Sequence, residues 1–102
     1  MNDIQLLVVQ LQNEIDNMTE SLYQQNDMEG YKKLDGIISV ITELLQKHAV
    51  LQAQTGTAIL DENKILGNLS AALAAMEQKD RVLFADIFHF EIREQLNLFL
   101  NE

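Results

Sequence analysis

The sequence predicts an all-α fold, an antiparallel up-down-up-down four-helix bundle that takes residues 1–102 as a single domain. Three observations predict it. Proline is absent and only 4 of 102 residues are glycine, so helix breakers are few. Apolar residues recur at steps of three and four in four successive stretches, the spacing of one buried helix face. Short polar connections separate the stretches, and short connections favour antiparallel neighbours. Two long hairpins that complete a bundle only by dimerising fit the same pattern.

The first stretch runs through Ile4, Leu7, Leu11, Ile15, Met18 and Leu22, with Asn2 or Asp3 able to cap its start. Gln24, Gln25, Asn26 and Asp27 interrupt it, and Asp27 suits the cap of the next helix. The second stretch carries Tyr31, Leu34, Ile38, Ile41, Leu45 and His48, and stops at Thr55-Gly56-Thr57. Gly56 suits the left-handed position past a helix end, and Thr57 suits the following cap. The third carries Ile59, Ile65, Leu66, Leu69, Ala72, Leu73 and Met76, with Gly67 placed to allow close helix approach. Asp80 then caps the fourth, whose inner face is Phe84, Ala85, Phe88, Ile92, Leu96 and Phe99.

Composition narrows the function classes. An apolar fraction of 47% is too high for a disordered chain. With no cysteine, disulfides, thiolate metal sites and thiol chemistry are excluded, in keeping with a cytoplasmic protein. No apolar run is long enough to span a membrane, and no basic region precedes the first apolar residues as in a secretory signal. Net charge is −9, and residues 1–26 hold no lysine or arginine. Without a basic stripe, nucleic acid and anionic membrane surfaces are poor partners.

The fourth stretch carries more apolar residues than one helix face holds. At about 100° per residue, Leu83 and Phe90 project almost opposite the inner face, beside Asp86, Arg93 and Asn97. Leaving both in water forgoes a few kcal/mol of burial. A dimer or partner contact centred on Leu83 and Phe90, flanked by Asp86 and Arg93, is the functional expectation. A tilted helix whose flanks are covered by its neighbours, or two scattered exposed residues, explains the same pattern. Leu6 and Val9 also lie off the main face of the first helix.

A polar layer is expected at one end of the core. His48 falls within the second helix's apolar face, Gln52 and Thr55 follow on that face, and Glu62 takes the matching place on the third helix. The turn at Gly56 sets His48 and Glu62 at similar depth, and Gln95, with Glu91 less directly, faces inward at the same end. A half-buried His48–Glu62 pair would make this layer a pH sensor or a ligand pocket. A bundle end that frays open and solvates each group accounts for the same residues.

Catalytic and metal signatures are thin. Asp86-Ile87-Phe88-His89 sets a carboxylate and an imidazole at i and i+3, but carboxylate-bridged bundles use Glu-x-x-His on two helices with glutamates from two more. Here the motif occurs once, on the helix's polar flank. Ser21, Ser39 and Ser70 lack a histidine at helical spacing, and there is neither a nucleophile elbow nor a phosphate loop. No cofactor or metal is expected, and a metal-dependent bundle enzyme ranks last among the readings.

Ala75-Met76-Glu77-Gln78-Lys79-Asp80, then Leu83-Phe84-Ala85-Asp86-Ile87, then Phe90-Glu91 resemble a group of small uncharacterised helical-bundle proteins of Gram-positive bacteria. Tyrosine is usual in that group where this chain has Phe90, so a hydroxyl contact is lost there. The resemblance implies a bacterial, helical protein and carries no activity. In size, acidity and helix pattern the chain is also loosely similar to flagellar export chaperones. Secreted Trp-x-Gly helical hairpins have comparable length, but this chain has no tryptophan.

The resulting expectation is a small acidic cytoplasmic protein that acts by protein–protein contact and is not an enzyme. Its first-ranked partner is itself, as a homodimer through the last helix; an export-type chaperone or adaptor binding another protein's helix ranks second.

Overall fold

The computed structural model describes residues 2–100, and its regular structure is entirely helical. In order come α1 (Asp3–Tyr23), α2 (Asp27–Lys32), α3 (Leu34–Thr55), α4 (Glu62–Glu77), α5 (Arg81–Asp86), a π-helical turn (Ile87–Ile92) and α6 (Arg93–Leu100). α2 joins α3 at Lys33, and α5, the π-turn and α6 run on as one last helix, so the described residues make four helices.

The ends of these helices follow from their sequences. Asn2 and Gln5 form a reciprocal capping box: the Gln5 amide donates to Asn2 Oδ1 at 2.8 Å, and the Asn2 amide to Gln5 Oε1 at 3.1 Å. Asp80 Oδ1 accepts from the Leu83 amide at 3.0 Å and starts α5 as expected. α1 and α4 stop in the same way. Gln25 and Lys79 take left-handed backbone (φ 64° and 61°), and the Asn26 and Asp80 amides each return 2.8 Å to a carbonyl of the last helical turn, on Ser21 and Ala75. Gly56 takes the expected left-handed position at φ 72°.

Two expected starts move. Asn26, not Asp27, occupies the cap position of α2. The third helix begins at Glu62, not after Thr57, because Asp61 Oδ1 accepts from the Lys64 amide at 3.1 Å while the Thr57 amide turns back to Thr55 Oγ1. Ile59 therefore lies in the connector, with Leu60 buried beside it.

The core mixes all four helices. α1 supplies Val8, Leu11, Ile15, Met18 and Leu22, and the inner face of the last helix is buried as read from sequence. On α3 the buried line is Leu34, Ile37, Ile41, Leu44 and His48, so Ile38 and Leu45 are displaced to the flank. On α4 the buried residues are Ile65, Ala72 and Ala75, whereas Leu66 and Leu73 face solvent. Gly67 makes no close approach, since a Cβ there would meet nothing within 4 Å. The close approach is at Gly30, whose Cβ would stand 2.6 Å from the Leu22 side chain.

The π-turn has a packing cause. Phe84, Phe88, Ile92 and Leu96 succeed one another at steps of four, and all are fully buried. Each step of four in a regular α-helix overshoots a turn by about 40°, which would carry Leu96 about 120° round from Phe84. An extra residue within one turn removes most of that drift and keeps the four on one face.

α1 packs on α2, α3 and the last helix, α4 packs on the last helix, and α3 and α4 approach each other little. Polar links join α1 to the last helix in opposing order: Gln5 to the Phe99 carbonyl, Gln12 to Asn97, Asp16 to Arg93, Tyr23 to Asp86.

Candidate functional site

Leu83 and Phe90 are 46% and 59% exposed, with Val82 exposed beside them. Leu83 lies in α5 and Phe90 within the π-turn, whose looser winding shifts Phe90 round the helix from where a regular helix would set it. Asp86 and Arg93 do not stand free at their sides. Arg93 grips Asp16 of α1 with two hydrogen bonds, Nε to Oδ1 at 2.9 Å and Nη2 to Oδ2 at 3.2 Å. Asp86 Oδ1 accepts from the Tyr23 hydroxyl. Both charges thus fix the last helix to α1 and hold the apolar surface at a set angle.

Between those two links runs an open groove of about 530 Å³, lined by Asp16, Thr19, Glu20, Tyr23, His89 and Arg93. The His89 ring stands edge-on to Phe90 at 4.6 Å and to Tyr23 at 6.2 Å, and its Nδ1 is buried without a hydrogen-bond partner. Partial burial, then the hydrogen bond and negative charge of Asp86, push the Tyr23 phenol from 10.0 up to about 12. Tyr31, edge-on to Phe84, is also raised by burial and by Asp27, with Arg81 opposing.

The predicted polar layer gathers at one end. Gln52, Glu62 and Gln95 line a second open pocket of about 690 Å³ with Ile59, Leu60 and Leu98. His48 lies beneath it with 0% exposure, its ring edge-on to Phe99. Nδ1 is 3.0 Å from Glu62 Oε1, and Nε2 accepts from the amides of Ile59 (3.2 Å) and Leu60 (3.3 Å). Because Nε2 is an acceptor twice over, the ring proton belongs on Nδ1, donated to Glu62. His48 thereby closes the α3–α4 connector in the way a capping side chain closes a helix end. Gln95 Oε1 is buried and unpartnered among the described residues, and Glu91 is exposed.

His48 and His89 belong to different neighbourhoods, one against Phe99 and the other against Tyr23. Among the described residues no three His, Asp or Glu side chains converge as a metal site would need, and no helix is long and apolar enough to cross a membrane.

Sequence reasoning passed over Gln12, Asp16 and Tyr23. Gln12 is buried and donates to Asn97 Oδ1 at 2.7 Å. Its position one step from Leu11 and three before Ile15 puts it inside the α1 stripe, which is a readable signal. Asp16 and Tyr23 carried no such mark, since their partners lie 77 and 63 residues away.

No curated protein matches the chain, and no solved structure does. Residues 1–102 match one family described as Domain of unknown function (DUF8042), and the chain belongs to that family.

Proposed function

We propose that this protein acts in the cytoplasm by protein–protein contact, as a homodimer formed through the outer face of its last helix, on an antiparallel up-down-up-down bundle. The observation that carries the reading is the exposure of Val82, Leu83 and Phe90 on a helix whose inner face is already fully buried. The surface is also suited to a second copy. Asp86 and Arg93 lie seven residues apart on its border, one acid and one base. A two-fold crossing of two such helices sets the acid of one copy near the base of the other, so a single patch complements itself. Tethering to α1 holds both charges in place beforehand, which lowers the entropic cost of association.

Molecular mass in solution tests this. The parent protein is expected to sediment as a dimer, and the Leu83→Glu/Phe90→Glu variant as a folded monomer. A monomeric parent over the micromolar range, or a variant that remains dimeric, overturns the proposal.

A further inference from the structure

The last-helix face makes no use of α3 and α4, whose facing sides form a second apolar surface. Glu62, Leu66, Leu69 and Leu73 succeed one another at steps of four, three and four, so they share one line of α4. Glu62 reaches His48 on α3, so that line faces α3. On α3, Lys47, Val50 and Leu51 line a pocket with Asp3 and Ile4 of α1. Ile38 and Leu45, seven residues apart and partly buried against the core, lie by helical spacing on the opposite flank of α3 from Lys47 and Leu51. The two helices barely approach along their lengths. The seam between them therefore exposes Leu66 (51%) and Leu73 (37%) over half-buried Leu69, Ile38 and Leu45.

Charge says what fits there. α3 and α4 have one lysine each and no arginine. Lys47 lies on the α1 flank of α3, and Lys64 is about 160° round α4 from Leu66. Carboxylates hold the rim instead: Glu62 at one end, Glu77 four residues beyond Leu73, and Asp35 three residues before Ile38. A second copy would set acid against acid, whereas a helix with a leucine-type stripe bordered by lysine or arginine would match both the stripe and the rim.

We propose that the seam between α3 and α4 is a docking site for a cationic amphipathic helix of another protein, with Leu66 and Leu73 as its anchors. The probe is a designed helical peptide with leucine at i, i+3, i+4 and i+7 and lysine elsewhere; its counterpart carries glutamate in place of lysine. The lysine peptide is expected to bind the parent, and the glutamate peptide is not. Leu66→Glu/Leu73→Glu, which alters solvent-facing residues, is expected to melt like the parent and to weaken binding at least about tenfold. Asp35→Lys/Glu77→Lys leaves the anchors intact and is expected to weaken it similarly. Leu83→Glu/Phe90→Glu is expected to bind as the parent does, which separates this site from the dimer face. No binding by the parent, equal binding by the Leu66/Leu73 variant, or conversion of a dimer to a monomer by that variant overturns the proposal.

Discussion

Tyr23 gives its hydroxyl hydrogen bond to Asp86, across the joint between the end of α1 and the start of the π-turn. The phenol is held up at about 12 by partial burial first and by Asp86 second. Folding thus favours the protonated phenol. The stability this adds is fully present below the ordinary tyrosine value of 10.0 and is lost as pH rises through about 12. In a Tyr31→Phe background, the ultraviolet signal of the phenolate reads Tyr23 alone. Its midpoint is expected near 12 in the parent and lower in Asp86→Asn, which keeps an acceptor but removes the charge. An unchanged midpoint in Asp86→Asn would assign the whole rise to burial.

His48 is expected to be a structural keystone of the connector. His48→Leu leaves the Ile59 and Leu60 amides without their acceptor in a buried place, at a cost of roughly 2–4 kcal/mol. Chemical denaturation measures that loss. Nitrogen chemical shifts of the imidazole read the tautomer directly, and a proton on Nε2 would contradict the hydrogen-bond assignment.

Gln12 and Asn97 should behave as a coupled pair, since their contact joins α1 to α6. Either single change to leucine strands the other polar group and should cost about 1–3 kcal/mol, while the double change should cost less than the sum. Strict additivity in a double-mutant cycle would show that the bond carries no coupling.

Two of the helical glycines, Gly30 and Gly67, predict opposite outcomes for one substitution. Gly30→Ala drives a Cβ to 2.6 Å from Leu22 and should destabilise by about 1–3 kcal/mol. Gly67→Ala enters open space within α4 and should stabilise by about 1 kcal/mol. Thermal melts of the two variants are expected to move in opposite directions.

How much was legible depended on whether a residue's role is local. The line Phe84, Phe88, Ile92, Leu96 and Phe99 could be read because it is long and each member is large. The caps at Asn2 and Asp80 could be read because their partners lie three residues on. On α4 the reading failed, because Leu66 and Leu73 continue an apolar spacing that packing does not use. The start at Thr57 failed for a related reason: the competing acceptor, Asp61, and the histidine that closes the connector win through contacts that spacing does not reveal. The polar layer was traceable as His48, Gln52, Glu62 and Gln95, but the double acceptance by His48 depends on backbone amides, which every residue but proline carries alike.

The π-turn gives the last helix an uneven tolerance for changes in length. Its upstream and downstream halves are each in phase with the core but out of phase with one another, as two gear trains are when joined by an idler tooth. Removing a single residue between Ile87 and Ile92 would restore regular winding with Leu96 and Phe99 still on the buried face, whereas inserting one there would swing them off it by about 100°. In the same place a helical peptide bond lies off the usual ladder: the Arg93 amide reaches back to the Phe88 carbonyl, five residues away. The helix is therefore a splice whose junction sets which side chains, Phe90 among them, are turned to the outside.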